Sequence, residues 1–125
     1  MRERETPCWL RRPVLVKLKS FDDLVRLAAS TVVNGQAMDL FHYEENGKHY
    51  YMMQGCWPDY YGLQGLPLLY LAEGPKPESG YLRVRINGGL SYSWAETEGA
   101  DVPIPVISLV EKPFFLELPE RPAQP

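Results

Sequence analysis

The sequence predicts an α+β fold: a mostly antiparallel sheet built on two hairpins, with one amphipathic helix near the N-terminus packed on it. Asn46-Gly47 and Asn87-Gly88-Gly89 each separate two runs of alternating apolar and polar residues, the pattern of paired strands around a glycine turn. Between Ser20 and Val33, apolar residues recur at helical spacing. The 125 residues are 45% hydrophobic and 23% charged, enough to build one core without disulfides or a metal.

Residues 1–12 mix arginines with Glu3 and Glu5 and show no period. They are expected to form a partly ordered arm anchored by Trp9 and Leu10. Val14, Val16 and Leu18 then alternate with Leu15, Lys17 and Lys19, as in a half-buried strand. Ser20 followed by Asp22 and Asp23 gives a helix start, because a hydroxyl and early carboxylates satisfy free N–H groups and the positive helix end. Phe21, Leu24, Val25, Ala28 and Val32 share one helical face, and Asn34-Gly35 supplies the stop.

A two-residue turn at Asn46-Gly47 pairs Phe41 with Met52, Tyr43 with Tyr50, and Glu44 with His49. Opposed residues share a face, so Phe41, Tyr43, Tyr50 and Met52 lie on one side and Leu40, His42, Glu44, His49, Tyr51 and Met53 on the other. Both sides are partly apolar, which predicts a central hairpin. For the second hairpin, a three-residue turn pairs Leu82 with Trp94, Val84 with Tyr92 and Ile86 with Leu90, apolar against apolar throughout. Leu66–Ala72 reads as a short buried strand. The stretch around Val102–Pro119 is apolar but carries prolines, which cannot donate to a ladder, so edge strands or extended packing segments are expected there. The whole 1–125 chain reads as a single domain with a flexible tail at 120–125.

A net charge of −3 makes nucleic acid an improbable partner. Arg83 and Arg85 face Ser91 and Ser93, on the side of the second hairpin away from Tyr92 and Trp94, so stacking and phosphate contact would not combine. Two cysteines, Cys8 and Cys56, make no disulfide framework. No apolar stretch approaches the roughly 18 residues of a membrane span. A cytoplasmic chain with no membrane partner is expected, and no motif implies a cofactor.

Three places could carry chemistry. The segment 55–65, GCWPDYYGLQG, has no period, and Trp57, Asp59, Tyr60 and Tyr61 make it a candidate ligand-binding loop. Cys56 is a candidate nucleophile, but a nucleophilic thiol needs a base in reach, and His49 lies about 20 Å back along the strand. His42, Glu44 and His49 share a face and could bind a metal. No catalytic set is complete, which favours a non-catalytic binding or protein-interaction module using the aromatic loop and a sheet face. The alternative is a small enzyme or metal-binding protein using Cys56 or the His42–Glu44–His49 face. Tyr43, Tyr50, Tyr51, Trp57, Tyr60, Tyr61 and Trp94 exceed what one helix can cover. Either the sheet curls into a half shell, or a second copy covers it, and self-association is expected.

Overall fold

A computed structural model describes residues 14–56, 67–99, 101–113 and 116. In chain order the elements are β1 (Val14–Lys17), α1 (Phe21–Val33), β2 (Leu40–Glu45), β3 (Lys48–Cys56), β4 (Pro67–Gly74), β5 (Tyr81–Arg85), β6 (Ser91–Ala95) and β7 (Val102–Ser108). The helix starts where its cap directs. Ser20 is extended, and its hydroxyl accepts the Asp23 N–H at 3.2 Å, which satisfies one free donor of the first turn. At the other end Gly35 takes a φ of 99°, the left-handed stop that glycine allows.

Both hairpins form in the registers the sequence predicts. Asn46 and Gly47 have φ of 56° and 81°, both positive as a tight two-residue turn requires, and Tyr43 faces Tyr50 while Glu44 faces His49. In the second hairpin Leu82 faces Trp94 and Val84 faces Tyr92.

The seven strands lie in the order β1-β4-β3-β2-β7-β5-β6. This corrects the expectation of a mostly antiparallel sheet: the sheet is mixed, because β1 runs parallel to β4 and β2 parallel to β7. It is also open rather than closed. Hairpins advertise antiparallel neighbours through their turns, whereas parallel partners are distant in sequence and leave no local mark.

The proline-bearing segment is a second correction, for β7 lies inside the sheet rather than at an edge. Its first half pairs with β5, and only Val106 to Ser108 pair with β2. Val106 N–H donates to Gly80 O at 2.9 Å, so alternate residues from Val102 point their backbone N toward β5. Pro103 and Pro105 therefore face the opposite edge, where β2 has not yet begun, and their missing N–H groups break no ladder bond.

The sheet bends around α1. Phe21, Leu24, Val25, Ala28 and Ala29 pack in one cluster with Leu40, Tyr51, Met53, Ala72, Leu82, Val84, Ile104 and Val106, which come from five strands. Beyond them, the Tyr92 hydroxyl of β6 donates to Asp22 at 2.7 Å. Each large apolar side chain buried here contributes about 1.5–3 kcal/mol. A second cluster, Tyr43, Met52 and Leu69 with Phe41, Tyr50 and Leu109 around it, occupies the far face. The helix thus takes one half of the aromatic surface and leaves the other. Arg83 Nη2 donates to the Thr97 and Glu98 carbonyls, and Arg85 pairs with Asp101 at 3.3 Å. The arm at 1–12 and the tail at 120–125 lie outside the described residues.

Candidate functional site

Two features on opposite faces of β2 stand apart from ordinary packing. On the helix side, hairpin alternation turns His42 inward, where it is 7% exposed. Its Nδ1 lies 2.9 Å from Ser108 Oγ, and its Nε2 lies 2.8 Å from His49 Nδ1. Parallel pairing of His42 with Ser108 and the antiparallel hairpin explain both contacts. A buried imidazole needs partners for both nitrogens, and it has them.

The geometry of the two rings decides what they can hold. Their planes are 15° apart and their centroids 5.0 Å. With the nitrogens only 2.8 Å apart, the rings meet edge to edge along the N–H···N line rather than face to face. That line accommodates one shared proton. A metal bonded to each nitrogen at about 2.0–2.1 Å would need the lone pairs to converge at an angle. Among the described residues no group of three or more His, Cys, Asp or Glu is arranged to hold a metal ion. Glu44 is placed opposite His49 in the hairpin, and its side chain is exposed.

Burial, and the neighbouring His49, hold His42 below the ordinary histidine range, while Glu44 pulls the other way. The ring also lies 5.1 Å from Tyr51. Burial pushes the Tyr51 phenol well above its ordinary value, and its hydroxyl donates to Pro75 O at 2.6 Å.

On the far face lies a groove in two parts. A cavity of about 610 Å³ is lined by Phe41, Met52, Gln54, Leu69, Leu109, Val110, Glu111, Lys112 and Pro113. A second of about 500 Å³ is more polar, with Lys17, Glu45, Tyr43, Tyr50, Glu73 and Lys112 among its lining. Lys112 borders both, and donates to the Glu45 carboxylate at 3.4 Å. Tyr43 and Tyr50 are near-parallel, 5.2 Å apart, as the predicted register requires.

Of the sequence candidates, His42 and His49 are brought into contact. Cys56 ends β3, backbone-paired with Pro67 at the opposite end of the strand from His49; its thiol, with Trp57, Asp59, Tyr60 and Tyr61, lies outside the described residues. Ser108 was not among the sequence candidates, because its partner is 66 residues away across a parallel pairing. The groove residues Leu109 to Pro113 were missed for a related reason: nothing local shows that the chain after β7 crosses the far face. No helix among the described residues is long and apolar enough to cross a membrane. No family model matches the chain, and no curated protein or solved structure shows a significant match.

Proposed function

We propose that this chain is a binding module that takes an apolar ligand in the groove on the sheet face opposite α1. The cavity of about 610 Å³ carries the reading: Phe41, Met52, Leu69 and Leu109 supply apolar walls, with Gln54, Glu111 and Lys112 as polar groups. That size and composition fit a small-molecule site. The aromatic loop belongs to the same reading. Its flanking residues Cys56 and Pro67 pair beside Gln54 and Leu69, so Trp57, Asp59, Tyr60 and Tyr61 are proposed to complete the site. Binding is favoured over catalysis because both nitrogens of His42 are satisfied within a structural network.

The test is a titration with the fluorescent probe 1-anilinonaphthalene-8-sulfonate. Saturable binding to the folded chain is expected, weakened about tenfold by Phe41→Lys and unaffected by Val33→Lys. Val33 is an exposed apolar side chain on α1, so it controls for non-specific adsorption. Absence of saturable binding, or equal loss in both variants, contradicts the reading.

A second copy is a further possible occupant of this face. Ile107 is 41% exposed and Val110 fully exposed, apolar surface of the kind that marks interfaces. Sedimentation velocity at micromolar concentration should then show a dimer that Val110→Lys dissociates; a monomer leaves the groove to the small ligand.

A further inference from the structure

Among the described residues the sheet ends on β1 and β6, and the two edges are unlike. A bare edge offers a row of unpaired N–H and C=O groups, which proteins blunt with charge, proline, bulges or a covering segment. β1 is short and ends on Lys17. β6 reads Ser91-Tyr92-Ser93-Trp94-Ala95, without a charge or a proline, and it pairs with β5 in unbroken register.

Which backbone groups β6 offers follows from the pairing further in. Val106 N–H donates to Gly80 O, so Val102 and Ile104 of β7 also turn their backbone groups toward β5. Their partners Val84 and Leu82 spend theirs on β7, and Tyr81, Arg83 and Arg85 then spend theirs on β6. Those three face Ala95, Ser93 and Ser91, which leaves the N–H and C=O of Tyr92 and Trp94 directed at the open edge. No described segment covers it. The chain leaving β6 turns back over β5, where Arg83 Nη2 donates to the Thr97 and Glu98 carbonyls. The longer stretches outside the described residues join it at Val14 on β1, at Cys56 and Pro67 of β3 and β4, and at Leu116 against Tyr43, Met52 and Leu69. All of these points lie in the half of the sheet away from β6.

We propose that β6 pairs antiparallel with β6 of a second copy, about a two-fold axis through Ser93, joining two sheets into one. A two-fold contact must be complementary to itself, and this register meets that test over the whole strand. It sets Tyr92 against the partner's Trp94, so the outward backbone groups of both exchange their hydrogen bonds. It sets Ser91 against the partner's Ala95 and Ser93 against the partner's Ser93, small beside small. Tyr92 packs near Phe21 and Trp94 near Tyr51, so the aromatic pair forms on the helix side, a favourable cross-strand match. An axis at Tyr92 or Trp94 keeps the faces but pairs less of the strand. An axis between residues opposes Tyr92 to a serine whose backbone groups point at β5. The pairing does not rest on the groove reading.

The test is sedimentation velocity on the full chain, which should show a dimer by about 100 μM, the weak end expected of so small a contact. Ser93 is exposed, and on the axis it would meet its own copy with Cα atoms about 4.5 Å apart. Ser93→Lys and Ser93→Glu each set like charges against each other there and should weaken the dimer by at least about fivefold. An equimolar mixture of the two variants should restore it, which also shows that both are folded. Val110→Lys, on the far face, should leave the dimer unchanged. A monomeric wild type at about 100 μM, a dimer equally strong in Ser93→Lys, or a mixture that stays monomeric would overturn the proposal. A dimer lost in Val110→Lys and kept in Ser93→Lys assigns the contact to the far face and overturns it as well.

Discussion

Replacing Gly74 with alanine sets two effects of similar kind but unequal size against each other. Gly74 ends β4 on the helix side, opposite His49. Its backbone is not in the left-handed region, so alanine fits the local conformation and should add roughly 0.5–1 kcal/mol through reduced freedom of the unfolded chain. A Cβ there would lie 2.6 Å from Phe21 Cδ1 and 2.9 Å from Tyr51 Cδ1. Neither ring can yield easily. Their centroids are 4.6 Å apart, both are buried, and the Tyr51 hydroxyl is tied to Pro75. Overpacking of this kind costs about 1–3 kcal/mol, so packing wins and a net loss of about 1–2 kcal/mol is expected. For a chain of this size that lowers Tm by roughly 4–8 °C, read by circular dichroism or calorimetry. Phe21→Leu should cost less in the Gly74→Ala background than alone, by at least about 0.5 kcal/mol, because it relieves the same clash. An unchanged or raised Tm in Gly74→Ala refutes the packing account.

Ser20→Ala removes the hydroxyl that caps α1 and should cost about 1 kcal/mol in urea denaturation; Ser20→Gly should cost only a few tenths. Tyr51→Phe strands the Pro75 carbonyl beside a buried ring, with an expected loss of about 1–2 kcal/mol and no change in helix content. Because His42 is held below its ordinary value of 6.5, the unfolded chain binds its proton more readily than the folded one. Its contribution is therefore complete above about pH 6.5 and lost as pH falls through the depressed folded value. Urea midpoints should drop between pH 7.5 and 5.0, and by less in His49→Gln; parallel curves for the two proteins would show that the pair does not carry the effect.

Where the fold was legible, a local chemical reason stood behind each element. Asn46-Gly47 fixed one register because only a tight turn with two positive φ angles fits there, and matching Leu82 to Trp94 selected the three-residue turn of the other. Ser20 and Gly35 marked the helix ends for equally local reasons. What could not be read was long-range. The parallel partners β1–β4 and β2–β7 each meet across roughly half of the chain, and no turn residue announces them. Pro103 and Pro105 pointed to an edge because their missing donors exclude an ordinary interior position. β7 escapes that exclusion by changing partner halfway, a geometric fact outside the reach of any single residue. The candidate site divided in the same way. The hairpin register put His42 and His49 on one face, but the Ser108 contact and the Leu109 amide bond to the His42 carbonyl depend on the β2–β7 pairing. The surplus of aromatic surface over what one helix can cover was visible beforehand, and it led to the far face.

The most direct test of the groove is methyl-resolved NMR of the full chain titrated with 1-anilinonaphthalene-8-sulfonate. The binding account requires shift changes and intermolecular contacts at the methyl groups of Met52, Leu69 and Leu109, with those of Leu82, Val84 and Ile104 on the helix side unmoved. Contacts confined to the helix side, or shifts spread over the whole chain without saturation, contradict it.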